Sequence, residues 1–216
     1  MISKAIIKDI QNLARRDHRD AQKLFLAEGV KWMEELLTHA PSQIQCIYAT
    51  ADWIQANKTS LSGIPHEEVD EILLGRLSQL KTPQQVLAVV RHFELEKPSI
   101  SAGIHLVLDT IQDPGNMGTL IRTADWFGVK QIVCSTDCAD VYNPKVVQAT
   151  MGSLVRMPIT YAALPEWLSK QKDIRKWAAV LSGTDYRTIS GNGILMMGNE
   201  SKGLSDELSE IGRAHV

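Results

Sequence analysis

The sequence predicts an α/β chain in two domains, and three observations carry that prediction. Short apolar runs alternate with stretches of helical period. The runs in the second half are short and mainly apolar without alternation, as expected of strands buried on both faces of a parallel sheet. A charged, Pro- and Ser-containing stretch without apolar period, Glu94–Gly103 (ELEKPSISAG), breaks the pattern once and reads as a linker. The division is then a small α/β domain over residues 1–93, a linker over 94–103 and a second domain over 104–216.

Ile6, Ile7, Ile10 and Leu13 fall at helical spacing, so the chain opens on a helix. A short strand over Leu24–Ala27 and a helix over Gly29–His39 follow, then a strand over Ile44–Ala49. Ile72, Leu73, Leu77 and Leu80 share one face of a helix over Glu71–Leu80, and the Val-rich Gln85–His92 reads as a strand. Past the linker, Ile104–Leu108, Gln131–Cys134, Trp177–Leu181 and Ile194–Met197 read as buried strands. Helices over Leu120–Phe127, Lys145–Met151 and Leu164–Lys170 separate them, which makes a mainly parallel sheet the expected arrangement.

Of the 216 residues, 44% are hydrophobic and 22% charged, the profile of an ordinary globular chain. No apolar run reaches the roughly 18 residues that a membrane-spanning helix requires. The opening twenty residues mix charge with apolar residues instead of building a secretory signal, so a cytoplasmic protein is expected. A net charge of -2 argues against non-specific coating of nucleic acid, which draws on a basic surface overall. Cys46, Cys134 and Cys138 are odd in number, which fits free thiols in a reducing compartment. Cys134 and Cys138 lack a second pair or a nearby His, and the six histidines include no His-x-x-x-His pair, so no metal site is expected. Trp32, Trp53, Trp126, Trp167 and Trp177 read as core or interface residues, since none sits in an aromatic-basic cluster of the sequence.

Two segments place Gly, Asn and charged residues directly after predicted strands, at the edge where α/β sheets collect ligands. In the first, LDTIQDPGNMGTLIRTADWFG (108–128), Asp113–Asn116 reads as a turn, Gly118 as a point of close backbone approach, and Arg122 as a cation early in the following helix. In the second, LMMGNESKGLSDEL (195–208), a loop carries Gly198, Asn199, Glu200 and Gly203, with Ser205 as the N-cap of a helix. Its Gly-x-x-x-x-Gly spacing has Leu204 where a P-loop requires Lys, and no Gly-x-Gly-x-x-Gly follows a strand, so neither nucleotide motif is present.

Together the segments resemble the SpoU/TrmH family of S-adenosylmethionine-dependent RNA ribose 2′-O-methyltransferases, in the SPOUT superfamily. The first family motif is similar to Gln112, Asp113, Pro114, Gly115, Asn116, Gly118, Ile121, Arg122, Thr123, Ala124 and Gly128, and the second to Gly198, Asn199, Glu200, Gly203, Leu204 and Ser205. The N-terminal region, with Arg16, Arg19, Phe25, Glu28, Gly29 and Thr82–Gln84, is similar to the substrate-binding domain that many members carry. The resemblance implies a C-terminal α/β domain with a deep trefoil knot. The family's third motif, a Ser-Leu-Asn loop that completes the knot, has no counterpart before Val216, so a C-terminally truncated chain with an incomplete knot is expected.

The implied activity is methyl transfer from S-adenosylmethionine to an RNA ribose 2′-hydroxyl, without metal. Ribosomal RNA is the expected substrate because of the N-terminal extension. The alternatives are transfer RNA, or an RNA-binding fragment that no longer binds the donor. By the resemblance, Arg122 is the catalytic arginine and Asn116 positions the substrate or that arginine. Deprotonating an arginine of pKa near 13 at pH 7 costs roughly 8 kcal/mol, so phosphate positioning is favoured for Arg122, with proton abstraction left open. Glu200 either orients Arg122 or Asn116, or caps the 198–203 loop by accepting its N–H groups. Met197, Gly198, Asn199, Gly203 and Leu204 are expected at the donor, with the 104–110 strand end bordering the same cleft. Arg15, Arg16 and Arg19, in a basic run with Lys4, Lys8 and Lys23, are expected to meet RNA, and by the resemblance so are Glu28 and Gly29. A homodimer is the family's implied assembly.

Overall fold

The computed structural model describes residues 2–93, 100–181, 183, 185, 187, 191–212, 214 and 215. Six positions of the expected linker, 94–99, and the terminal 213 and 216 lie outside the described residues. Two compact units are formed, Met1–Glu94 with Val141–Val155, and Leu95–Asp140 with Arg156–Val216.

In the first unit the chain runs α1 (Lys4–Asn12), α2 (Arg16–Gln22), β1 (Leu24–Glu28), α3 (Val30–His39), β2 (Ile44–Ala49), α4 (Ala51–Ala56), β3 (His66–Glu68), α5 (Glu71–Leu77) and β4 (Val86–Arg91). The sheet order is β1-β4-β2-β3, with β4 antiparallel to both neighbours and β3 parallel to β2. Ser3, Thr50 and Asp70 cap α1, α4 and α5 by accepting backbone N–H groups, so these short helices start where polar side chains replace missing turn partners. One core layer gathers Ile7, Ile10 and Leu13 of the opening segment with Leu74 and Leu77 against Leu26, Tyr48, Leu87 and Val89.

Three elements here escape the hydrophobic period. The α2 sequence RDHRDAQ has one apolar residue, and its helix is tied instead by buried Arg19, whose Nη1 donates to the Leu13 and Ala14 carbonyls at 2.9 Å each. Ala51–Ala56 is one capped turn and a half, too short for a period to show. Strand β3, His-Glu-Glu, is fully exposed and owes its conformation to pairing with β2. The helix expected to reach Leu80 ends at Leu77, because Ser78 turns extended and its hydroxyl, with the Gln79 N–H, is committed to Glu28.

The second unit contains β5 (Ile104–Leu108), α6 (Pro114–Trp126) and β6 (Ile132–Cys134). The chain then supplies α7 (Pro144–Thr150) to the first unit. There the Trp32 indole donates to the Val147 carbonyl at 2.9 Å, and Tyr142 stacks on His92 at 3.8 Å. It returns as β7 (Ile159–Tyr161), α8 (Leu164–Ser169), β8 (Arg175–Ala178), β9 (Gly193–Met197), α9 (Asp206–Ile211) and β10 (Ala214–His215). All pairs in the sheet β10-β8-β9-β5-β6-β7 are parallel, as the apolar runs predict. Val107, Val133, Ile194 and Met196 pack with Trp167, Leu168, Leu204 and Leu208.

Two boundaries differ from expectation. Helix α6 starts at Pro114 and not at Leu120: the Asp113 side chain accepts the Asn116 N–H at 2.8 Å and Pro114 occupies the first helical position, where its missing N–H costs nothing. The segment read as a turn is thus the first turn of the helix, its character masked by Gly115 and Gly118. The third strand of the second half is Arg175–Ala178, with the Lys176 stem buried and its ammonium donating to the Gln171 carbonyl. Between β5 and β9 the strand order reverses direction, since β5, β6 and β7 follow one another outward while β8 and β9 lie on the other side. Such a switch point splays the loops at the carboxyl edge and opens a crevice there.

Candidate functional site

Both sequence motifs sit at that crevice. The loop 198–204 leaves β9 and folds back on itself. Asn199 and Gly203 exchange two backbone hydrogen bonds of 2.9 and 2.8 Å, and Gly203 takes a φ of +72°. A Cβ on Gly198 would stand 2.1 Å from the Gly203 carbonyl carbon, so only glycine lets the loop close. The Asn199 side chain serves both directions: its Oδ1 accepts the Ser201 and Lys202 N–H groups, and its Nδ2 donates to the Thr110 carbonyl at 2.9 Å. Asn199 therefore holds the loop turn that the sequence offered to Glu200.

Glu200 instead accepts from the Asn116 amide, Nδ2 to Oε2 at 2.8 Å, both residues being exposed. That bond joins the two motifs. On one side of the loop lies a cleft of about 680 Å³, lined by the apolar Ala179, Val180 and Leu181 and by Met197, Gly198, Asn199, Gly203 and Leu204. On the other lies a cleft of about 430 Å³ between the start of α6, with Gln112, Asp113, Asn116 and Thr119, and Gly198–Ser201. Residues 198–201 border both, so one loop partitions two adjoining pockets of small-molecule size.

Arg122 lies six residues further along α6 than Asn116, about 1.7 turns and about 9 Å up the axis. Its side chain is exposed, lines neither cleft and makes no hydrogen bond or ion pair among the described residues. The structure thus brings Asn116 and Glu200 together and leaves Arg122 on the adjoining surface. Ser205 stands at the N-cap of α9, yet its side chain makes no capping bond; its N–H goes to the Asp109 carboxyl at 2.9 Å.

The floor of the site is a polar network that sequence reading missed. Thr110, at the end of β5, adopts φ +58°, a left-handed conformation that a β-branched residue rarely takes. Its N–H donates to Ser135 Oγ at 2.8 Å, and its hydroxyl lies 3.1 Å from Asp109 Oδ1 and 3.0 Å from Asp137 Oδ2. The Ser135 hydroxyl, 2.6 Å from Asp137, holds that carboxyl below its ordinary range. Beneath them the Cys134 thiol donates toward Cys138 and draws the Cys138 thiol down to about 7, with Cys134 itself pushed up. Cys138 Sγ accepts the Ile111 N–H at 3.3 Å, so the thiol pair is structural support for the strand end. The one signal for Asp109 in the sequence is a charged residue directly after the apolar Leu106–Leu108 run. Among the described residues no group of three His, Cys, Asp or Glu side chains is arranged to hold a metal ion.

In the first unit the expected RNA contacts divide. Arg15 and Arg16 are exposed and paired with Asp17 and Asp20 at 2.6 and 3.6 Å. Arg19 is corrected to a structural role, 2% exposed and capping the carbonyls after α1. Glu28 is likewise buried; burial pushes its carboxyl pKa up, and Ser78 and Gln79 occupy its oxygens. Gly29, at φ +100°, packs where a Cβ would strike Gln84 at 2.5 Å. Arg19 is buried on the carbonyls that follow α1, and Glu28 and Gly29 where the end of β1 meets Ser78, Gln79 and Gln84, tertiary facts that residue type does not announce. Among the tryptophans, Trp32, Trp53, Trp167 and Trp177 are buried and Trp126 is 86% exposed.

A parallel sheet with two pockets meeting on one loop at its carboxyl edge defines an α/β protein with a bipartite candidate site. Residues 103–216 match the SpoU rRNA Methylase family, and residues 4–88 match the MRM3-like substrate binding domain. The chain is 31% identical over 209 residues to the 23S rRNA (guanosine(2553)-2′-O)-methyltransferase RlmP of Bacillus subtilis, covering 94% of this chain and 83% of that one. The fold is similar to a TrmH-family RNA methyltransferase structure from Porphyromonas gingivalis, at TM-score 0.86 and 31% identity, over 100% of this chain and 88% of the other. It is also similar to an rRNA methyltransferase of Sinorhizobium meliloti solved with AdoMet bound, at TM-score 0.84 and 29% identity, covering 100% and 85%. The chain belongs to the SpoU rRNA methylase family.

Proposed function

We propose that this chain is an S-adenosylmethionine-dependent ribose 2′-O-methyltransferase acting on ribosomal RNA. The observation that carries the reading is the loop 198–201 shared by two clefts, together with the ribosomal RNA 2′-O-methyltransferase named among the relatives. The larger cleft fits the donor: Ala179, Val180, Leu181 and Leu204 offer an apolar wall for a purine, and the glycine loop offers its backbone. When bound, S-adenosylmethionine supplies an electrophilic methyl group on a sulfonium.

The residues of the chain do the rest by placement. Glu200 fixes the Asn116 amide through its nitrogen, which leaves the amide oxygen facing the smaller cleft to accept a hydrogen bond from a ribose hydroxyl. Arg122, a permanent cation on the same helix, binds the phosphate beside that ribose and so aligns the hydroxyl for in-line attack. In the first unit Arg15 and Arg16, with Lys4 and Lys8, meet RNA phosphates. Their exposed ion pairs are worth ~1 kcal/mol or less and are readily exchanged.

The reading includes the family's homodimer and knotted chain path. Trp126 and Phe127, 86% and 77% exposed at the end of α6, form an apolar surface suited to a partner subunit. It also includes action in the cytoplasm, consistent with three free thiols. No described helix is long and apolar enough to cross a membrane.

Calorimetric titration of S-adenosylmethionine into the protein tests the donor site. Saturable binding with a Kd in the micromolar range is expected, at about -8 kcal/mol; absence of heat at millimolar donor would contradict the reading.

A further inference from the structure

The loop 198–204 begins after Met197 and ends at Ser205, and both of those flanking residues are held by one residue of the neighbouring strand. The Asp109 N–H donates to the Met197 carbonyl at 2.9 Å, and Asp109 Oδ2 accepts the Ser205 N–H at 2.9 Å. The other carboxyl oxygen takes the Thr110 hydroxyl at 3.1 Å, and Thr110 in turn receives Asn199 Nδ2 on its carbonyl. Asp109 is 6% exposed and lines neither cleft, so it acts on ligands only through the loop.

We propose that Asp109 is a positioning residue of the methyl-donor site, its carboxyl fixing the exit of the 198–204 loop while its backbone fixes the entry. The inference rests on the reading of the larger cleft as the donor site. Any residue at 109 keeps the backbone bond to Met197. Only a side chain with an acceptor two bonds from Cβ keeps the bond to Ser205, and without it the part-buried Asp109–Ser205 bond that fixes the loop exit is lost. The strained Thr110 adds the reason for a carboxyl: with the Asp137 and Ser135 side chains it over-determines a backbone turn that would otherwise relax and carry the loop with it.

Three variants of the full chain test this. Asp109→Ala is expected to weaken donor binding about tenfold or more, raising KM for the donor with little change in kcat at saturating donor. Asp109→Asn, which keeps an acceptor of the same shape, is expected to restore binding to near that of the parent. Ser205→Pro removes the same N–H with Asp109 left in the sequence, its ring carbon displacing the carboxyl from that position; the Ser205 φ of -60° already suits a proline ring. It should weaken binding as Asp109→Ala does, and it keeps the test open if Asp109→Ala fails to fold. Amide exchange without ligand gives a readout independent of the donor: the Ser205 amide should exchange faster in Asp109→Ala and remain protected in Asp109→Asn. Unchanged Ser205 exchange in Asp109→Ala, together with unchanged donor affinity in both Asp109→Ala and Ser205→Pro, would overturn the proposal, as would an Asp109→Asn variant as impaired as Asp109→Ala. If the parent itself binds no donor, the functional reading fails, and the exchange data alone decide whether Asp109 holds the loop.

Discussion

Arg122→Ala is expected to lower methyl transfer by a factor of about 100 to 1,000 while donor affinity and thermal unfolding stay at the parent values. The split follows from where the side chain stands. Arg122 is exposed on α6 and makes no contact within the described protein whose loss would destabilise the fold; surface substitutions of that kind change stability by about 0.5 kcal/mol or less. It lines neither cleft, so donor binding does not depend on it. Its contribution arises only when an RNA phosphate arrives, so its removal lowers kcat and raises KM for RNA. Lys at this position keeps the charge but loses the planar two-pronged geometry, so Arg122→Lys should fall between the two. Steady-state kinetics with varied RNA and varied donor check each part. Full activity in Arg122→Ala would remove this residue from the mechanism, and lost donor binding would show that it acts inside the loop cleft instead.

Gly198→Ala is expected to abolish measurable donor binding, an effect of about 100-fold or more, with the sheet intact. The added Cβ would lie 2.1 Å from the Gly203 carbonyl carbon and 2.2 Å from the Leu204 nitrogen. These are backbone atoms, and no rotamer change can move them aside. Relief requires opening the loop and breaking the two bonds between Asn199 and Gly203, each worth ~1 kcal/mol net and more when its partner stays buried. Gly203→Ala is the informative contrast. No atom lies within 4 Å of a Cβ there, and the cost is only the left-handed φ of +72°, about 1–2 kcal/mol. Titration of both variants, with circular dichroism to confirm the fold, should show donor binding lost in the first and merely weakened in the second. Equal binding by Gly198→Ala and the parent would mean that the closed loop is not the donor site.

How much of this was legible depends on which physical term decides each feature. Ile194–Met197 is apolar throughout and Ile104–Leu108 apolar but for His105, and strands buried on both faces between helices are expected to pair in parallel; period and composition suffice. The Asn116–Glu200 contact was foreseeable as one of two readings, since both residues follow adjacent strand ends. The α6 start was misplaced because Gly115 and Gly118 depress helix propensity, although Asp113-Pro114 is a strong start signal. The resemblance of the N-terminal region places Arg19 and Glu28 at the RNA, whereas both are buried, held by carbonyls and N–H groups contributed from elsewhere in the chain. The Thr110 turn could not be read at all: its residue type argues against a left-handed φ, and only the surrounding side chains hold it there.

The central claim is that the two clefts sharing residues 198–201 bring a methyl donor and an RNA ribose together. Its most direct test is to incubate the protein with S-adenosylmethionine labelled in the methyl group and unmodified ribosomal RNA, then hydrolyse the RNA in alkali. Cleavage requires a free 2′-hydroxyl, so a methylated ribose survives as a dinucleotide. Label in alkali-resistant dinucleotides, absent with Gly198→Ala, is the result expected. Label recovered in mononucleotides would place the methyl on a base and contradict the account, as would no label in a protein that binds the donor.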